Sequence, residues 1–176
     1  MQVDDLSSPE AQALVAEHLA GMHGNSPPGH VNALAVEALR RPGITFWTAW
    51  QGEKLCGCGA LKELSGSAGE IKSMRTRSVY ARQGVGQAVL REIMDTARAR
   101  GYRHLYLETG TGGPFEAAHA LYVKNGFDWC GPFGDYRATE FNVFMVAAAR
   151  GSSRSLGATR ATDAERRAPC NAGGRH

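Results

Sequence analysis

Leu14, Val15, His18, Leu19 and Met22 recur at the three- and four-residue spacing of a single helix face. Ahead of them Ser7 and Glu10 have the spacing of a capping box and Pro9 suits a first helical turn, so a helix is predicted over 8–22. His18 lies on that apolar face, where a histidine reads as part of the core. Gly24-Asn25-Ser26-Pro27-Pro28-Gly29 breaks the pattern, and a weaker helical stretch over 30–40, stopped by Pro42-Gly43, reads as a second helix able to act as a lid. Two runs rich in β-formers, 44–51 and 55–64, flank Gly52-Glu53-Lys54 as a hairpin. A third strand is expected at 70–76, after the turn Gly66-Ser67-Ala68-Gly69. From 84 to 100 the residues Val85, Ala88, Val89, Ile93 and Ala97 form one side of an amphipathic helix that Gly101 ends. A strand over 102–109, a helix over 114–124 closed by Asn125-Gly126, and strands at 127–130 and 141–146 complete the pattern. The mixed order predicts an α/β domain whose sheet carries helices on both faces. Beyond Ala147 the periodicity stops, so residues 1–147 read as the domain and 148–176 as a disordered tail rich in Arg, Ser, Gly and Ala.

Composition narrows the function classes. With 176 residues and 43% hydrophobic content the chain can bury one sizeable core, since domains run about 100 to 200 residues. No apolar stretch reaches the ~20 residues that a bilayer span needs, and Met1-Gln2-Val3-Asp4-Asp5 is acidic where a secretory signal is basic, so a cytoplasmic protein without a membrane segment is expected. The formal charge of +3 sits mostly in the tail, where six arginines face only Asp163 and Glu165; the body is close to neutral. Such a body gives no footprint for a polyanion, and nucleic acid is not expected as a partner. Cys56, Cys58, Cys130 and Cys170 lack the paired spacing of a zinc site, and the one-residue gap between Cys56 and Cys58 suits two reduced core thiols; neither a metal nor a disulfide is expected.

Candidate chemistry centres on a strand, a loop, and then Gly84-Val85-Gly86 opening a helix. The start of a helix leaves four N–H groups without partners and carries about half a positive charge, which suits a phosphate, and glycine lets the phosphate approach the backbone. A dinucleotide fingerprint would want a third small residue where Val89 stands, and the Gly-Lys-Ser or Gly-Lys-Thr of a Walker loop is missing. A plain glycine-rich turn is the competing reading.

The stretch Ala81-Arg82-Gln83-Gly84-Val85-Gly86 resembles the helix-opening motif (Arg/Gln)-x-x-Gly-x-(Gly/Ala) of the GNAT superfamily of acetyl-CoA-dependent N-acetyltransferases, with Ala81 departing from its first position. Glu70-Ile71-Lys72-Ser73-Met74 is similar to the family's strand before the loop, and Ala120-Leu121-Tyr122-Val123-Lys124-Asn125-Gly126-Phe127 to its later helix. The resemblance covers roughly residues 3–146.

It implies a mostly antiparallel central sheet with two strands splayed at an acetyl-CoA cleft. Backbone groups at Met74 and Thr76 would hold the pantetheine arm, and the amides of Gln83, Gly84, Val85, Gly86, Gln87 and Ala88 the pyrophosphate. Arg82 or Arg77 is a candidate for the additional phosphate, or else a solvated surface charge. The implied reaction is direct transfer of an acetyl group to a primary amine, that of a small molecule before that of a protein. Glu70 matches the position of the base, although a strand-end carboxylate would look the same; Tyr122 matches the acid that protonates the leaving thiolate, although a core aromatic would fit there too. Met74 would offer its N–H to the carbonyl oxygen. Glu108, Thr109 and Gly110 end a strand close to where an acceptor would enter, and Phe133, Asp135 and Tyr136 after the last turn would suit a small cationic amine, although loop placement and solvent exposure explain them as readily. A non-catalytic acyl-CoA-binding module shares the cradle and is the alternative. The edge offered by the final strands leaves a homodimer open.

Overall fold

The computed structural model describes residues 1–27 and 32–149. Seven strands form one sheet in the order β1-β2-β3-β4-β5-β7-β6. They are β1 (Gln2–Val3), β2 (Ile44–Gln51), β3 (Lys54–Ser65), β4 (Ala68–Thr76), β5 (His104–Gly110), β6 (Asp128–Cys130) and β7 (Asn142–Ala148). Each pairing is antiparallel except that of β4 with β5, so the mixed, mostly antiparallel sheet expected from the sequence is what forms. The helices are α1 (Pro9–Asn25), α2 (Val36–Leu39), α3 (Val85–Ala99) and α4 (Glu116–Lys124).

Alternation along the strands sends one set of side chains to each face. Leu61, Ile71, Leu105, Leu107 and Met145 pack with Val89, Leu90, Ile93 and Ala97 of α3, while Phe46, Cys58 and Ala60 pack with Leu14 and Val15 of α1. A smaller aromatic group, Tyr106, Phe133 and Phe144, continues the α1 side of the sheet beneath β5 and β7. Two glycines let α3 come close. A Cβ at Gly59 would lie 2.6 Å from Val89 Cγ1 and 2.7 Å from Met74 Sδ, and one at Gly57 would lie 2.8 Å from Val85 Cγ1. Larger residues on that face of β3 would lift the helix off the sheet.

Several local expectations shift. Ser8, rather than Ser7, caps α1: its Oγ accepts the Ala11 N–H at 3.2 Å, with Pro9 in the first turn. His18 is not part of the α1 core set and turns toward the cleft described below. The second helix, expected over 30–40, is a single turn at Val36–Leu39 that no side chain caps, and Asn32 bonds to β4 and β5 instead of entering a helical turn. Residues 28–31 lie outside the described residues. β1 is too short to show an alternation, yet it pairs with β2, and Thr48 Oγ1 donates to Asp4 Oδ2 at 2.9 Å beside it. Cys56 and Cys58 are buried free thiols, and Cys130 is buried as well. Among the described residues no helix is long and apolar enough to cross a membrane.

The last strand also outruns the expected end. Ala148 belongs to β7, and Ala149 is fully buried with its N–H on the Arg103 carbonyl at 2.9 Å. The tail that remains, with Cys170, lies outside the described residues. On the composition of the tail, a chain ending at Ala149 is expected to melt with the full-length protein. One ending at Ala147 should melt about 2–6 °C lower, the shift that ~1 kcal/mol produces in a domain of this size. Identical melting curves for the two truncations would return the boundary to Ala147.

Candidate active site

β4 and β5 pair in parallel from Ala68 opposite His104 to Ile71 opposite Leu107, and there their ladder ends. Neither strand ends with it. β4 continues against β3 as far as Thr76, and β5 against β7 as far as Gly110, so each wall of the resulting fork keeps its outer neighbour. The inner backbone edges beyond Ile71 and Leu107 have no strand partner across the gap, which leaves polar groups for something else to satisfy. A bulge shapes the β4 wall: between the pairs Cys58–Arg75 and Ala60–Lys72, both Ser73 and Met74 face Gly59. Ser73 takes up the bulge at φ 52°, its carbonyl accepts the Cys58 thiol at 3.4 Å, and its Oγ is buried without a hydrogen-bond partner.

Above one side of the fork stands the start of α3. Gly84 is its cap residue at φ 84°, in the left-handed region that glycine adopts without strain, and no side chain caps the helix. Residues 84 to 88 are exposed or half-buried, so the first-turn amides face open space. A Cβ at Gly86 would meet only Thr76 Oγ1 at 3.4 Å and Leu121 Cδ2 at 3.5 Å. The protein itself does not require glycine there, which fits a cradle whose floor must stay bare for a phosphate. Arg82, at φ 61°, and Gln83 are exposed on the loop before it.

α4 closes the far side. Its end is the Asn125-Gly126 turn, where the Asn125 N–H bonds the Leu121 and Tyr122 carbonyls, Gly126 takes φ 85°, and the Phe127 N–H returns to the Tyr122 carbonyl at 3.1 Å. Asn125 also exchanges amide hydrogen bonds with Gln87, at 2.6 and 3.0 Å, which locks the first turn of α3 to the last turn of α4. Tyr122 is thereby fixed beside the fork; it packs on Phe127, lines the cleft, and has its phenol pKa raised by burial.

On the face away from α3 the cleft is polar. Lys72, only 7% exposed, donates to Tyr136 Oη at 2.8 Å and to the Asn32 carbonyl at 3.0 Å, and pairs with Glu70 Oε1 at 3.2 Å. Tyr136 in turn donates to Glu70 Oε1 at 2.5 Å, and Lys62 lies 3.6 Å from the other carboxylate oxygen. Glu108 accepts from the Asn32 amide at 3.0 Å; burial raises its pKa, opposed by that hydrogen bond and by the charge of Lys72. His18 faces the same space and is held down to about 4, by burial first and then by Arg75 and Lys72, so it is neutral at pH 7.

The fork thus brings together Met74, Tyr122 and, through Thr76, the first turn of α3. Glu70 sits differently from its expected place: it is fully buried, does not line the cleft, and meets it only through Lys72. Phe133 and Tyr136 pack in the aromatic group and Asp135 is exposed, so none of the three lines the cleft. Lys72, Asn32 and Arg75 went unremarked in the sequence. Strand alternation from Glu70 would have placed Lys72 on the same face, but nothing in the pattern marks Asn32. Among the described residues no cluster of three or more His, Cys, Asp or Glu side chains could hold a metal ion.

Comparison with known proteins agrees with this geometry. The Acetyltransferase (GNAT) family model matches residues 12–127. The chain is 50% identical over 146 residues to the uncharacterized N-acetyltransferase YsnE of Bacillus subtilis (strain 168), covering 83% of this chain and 97% of the relative. It is 49% identical over 145 residues to the uncharacterized N-acetyltransferase YedL of Escherichia coli (strain K12), covering 82% and 91%. Its fold matches that of an aminoglycoside 6'-N-acetyltransferase solved with coenzyme A, at a TM-score of 0.64 and 13% identity over 88% of this chain and all of the other. The chain belongs to the acetyltransferase (GNAT) family, and it is an acyltransferase.

Proposed function

We propose that the chain moves an acetyl group from acetyl-CoA directly to the primary amine of a small molecule. The carrying observation is the fork: two supported strands with unpaired inner edges, lying under an uncapped glycine-rich helix start. An extended amide-bearing arm can satisfy those edges as an added strand would, and a pyrophosphate suits the amides of Gln83 to Ala88. Met74 and Thr76 would hold the arm, and Arg82 is the exposed cation nearest in sequence to the cradle. The coenzyme A held by the aminoglycoside enzyme of the same fold supports this use of the cleft. His18, Met22 and Asn25 of α1, together with Asn32, crowd the acceptor side, which favours a small molecule over a folded protein.

Direct transfer suits the groups present. Cys58 packs against the bulge, but burial pushes its thiol up to about 12, and among the described residues no cysteine lines the cleft to take the acetyl group first. The amine must first lose a proton, since a lysine-like amine titrates near ~10.4. Of the two carboxylates, this reading gives Glu108 the proton because it lines the cleft, and makes Glu70, the expected base, a positioning residue that acts through Lys72 and Tyr136. The amine nitrogen then attacks the thioester carbonyl, whose oxygen takes a hydrogen bond from the Met74 N–H; as the C–S bond breaks with Tyr122 hydrogen-bonded to the leaving sulfur, the nitrogen sheds its second proton, which ends on the thiolate to give the thiol. A phenol whose pKa is raised gives its proton uphill to a thiolate of ~8.5, so Tyr122 contributes chiefly through that hydrogen bond.

Two outcomes test the reading. Gly86→Val should fold, because a Cβ there meets only the side-chain atoms Thr76 Oγ1 at 3.4 Å and Leu121 Cδ2 at 3.5 Å, yet it should lose acetyl-CoA affinity in a calorimetric titration by at least about tenfold, or ~1.4 kcal/mol. Undiminished affinity in a folded variant would remove the cradle.

The second is kinetic. Tyr122→Phe should lower kcat about 10- to 100-fold, with acetyl-CoA affinity spared. As a base, Glu108 works when ionised, so kcat/KM should rise with pH through its raised pKa. Glu108→Gln should abolish that limb, whereas Glu70→Gln should displace it. A less basic acceptor serves as the control, because it moves the limb only if the substrate itself titrates. A limb lost in Glu70→Gln and retained in Glu108→Gln would restore Glu70 as the base, and wild-type rates in all three variants would leave the catalytic roles without support.

A further inference from the structure

Resting on that reading of the cleft, we infer that the acceptor is a zwitterion, an amine that carries its own carboxylate close to the reacting nitrogen, and that Lys72 selects it. The argument begins with register. Ile71 and Leu107 form the last pair of the β4–β5 ladder, so Lys72 and Glu108 are the next residue on each wall, at the apex of the fork. Ile71 and Leu107 point into the core beneath α3, and alternation therefore sends Lys72 and Glu108 out on the opposite face. The α3 cradle belongs to one face and this pair to the other. An acceptor approaching a thioester in the fork from the side opposite the cradle passes between an ammonium and a carboxylate.

Asn32 sets the scale of that gate. Its side-chain amide donates to Glu108 at 3.0 Å while its carbonyl accepts from Lys72 at 3.0 Å, so a single residue spans the two charges. That span is the scale of an amino acid. The charges also balance: Lys62 and Lys72 face Glu70 and Glu108, Arg75 is paired with Glu17 at 2.8 Å, and His18 is neutral. A cleft without net charge has little pull on a simple cation or a simple acid. It is polarised, however, with the Lys72 ammonium on the β4 wall and the Glu108 carboxylate, held by Asn32, on the β5 wall. A plain amine that satisfied Glu108 would bring a like charge toward Lys72. A plain acid would do the reverse. An amino acid matches both walls, ammonium toward Glu108 and carboxylate toward Lys72. Three acceptors already surround the Lys72 ammonium, Glu70 Oε1, Tyr136 Oη and the Asn32 carbonyl, so the carboxylate of the acceptor would take the place of the Asn32 carbonyl. That exchange replaces a neutral partner with a charged one in a site largely out of water, where charge-assisted bonds are strongest.

The test uses the purified full-length protein, acetyl-CoA and matched acceptor sets: amino acids, the corresponding amino-acid amides, and the decarboxylated amines, read by release of free CoA thiol and by product mass. The amides carry a less basic amine, more of it free at neutral pH, so intrinsic reactivity works against the expected order. Amino acids should nonetheless exceed their amides and decarboxylated amines in kcat/KM by at least about tenfold. In Lys72→Met, which keeps much of the buried stem, that ratio should collapse toward one because KM for the amino acid rises, and in Lys72→Arg it should be largely kept. The ratio cancels any defect common to all acceptors, and the wild-type comparison stands even if the methionine variant does not fold. Amides or decarboxylated amines equal to or better than amino acids in the wild type would overturn the inference while upholding amine acetylation. An undiminished ratio in folded Lys72→Met would overturn the part given to Lys72. Failure to release thiol with every acceptor would overturn the transfer reading itself.

Discussion

Parallel pairing between β4 and β5 stops at Ile71 and Leu107 although both strands run on, and the site depends on that interruption. A sheet that stayed zipped would satisfy its own backbone and offer nothing to a ligand. A sheet that simply frayed would offer only disordered edges. Here β4 remains paired with β3 up to Thr76, and β5 with β7 up to Gly110, so the open edges are held at fixed positions by ladders on their outer sides. The bulge at Ser73 and Met74 adds a residue to one wall only and gives it a curvature that β5 does not follow.

Packing around the fork keeps its two chemical halves in place. Gly57 and Gly59 let α3 lie close on β3 and β4, which sets its first turn over the cleft, and the Gln87–Asn125 amide exchange carries the same reference frame across to α4 and Tyr122. The side chain of Gln87 is thus structural, while its backbone belongs to that first turn. On the opposite face Tyr136 reaches from the 131–141 loop to Glu70 and Lys72, so that loop is anchored to the β4 wall by a charge-assisted hydrogen bond. Glycines serve one face and a buried polar network serves the other.

How much of this could be read beforehand followed from how local each signal is. The amphipathic face of α3, the Gly84–Gly86 opening and the Asn125-Gly126 stop are each written in a few consecutive residues, and they lie where the pattern puts them. The two-residue β1 and the single-turn α2 carry too few residues to show a period. The capping serine was misassigned by one position because Ser7 and Ser8 both precede Pro9, and only the Ala11 N–H distinguishes them. Glu70 was legible as a strand carboxylate, but its isolation from the cleft depends on Tyr136, sixty-six residues away, and on Lys72. Asn32 was illegible for the same reason: its partners, Lys72 and Glu108, come from two strands whose convergence is a property of the sheet. Phe133 and Tyr136 were read as acceptor contacts because aromatic loop residues suit a cation, yet the uncovered sheet beneath β5 and β7 claimed them for packing.

The cost of the arrangement is concentrated where the chemistry is. Among the described residues, buried side-chain atoms without a hydrogen bond include Glu70 Oε2, Ser73 Oγ, Arg75 Nε and Arg77 Nε, all on β4 or the residue just after it. The left-handed Ser73 belongs to the same stretch. Native proteins leave few such groups unpaired, and each costs on the order of 1–3 kcal/mol. A wall selected for stability alone would replace Glu70 and Lys72 with apolar residues of similar volume, as buried ion pairs often can be. That exchange would remove the Lys72 ammonium from the apex and leave Glu108 without the charge that opposes its protonation. The outer half of β4 is therefore a segment kept locally under-satisfied and stabilised by the ladders and core on either side; Ser73 and Arg75 line the cleft, while Glu70 and Arg77 carry the same cost away from it.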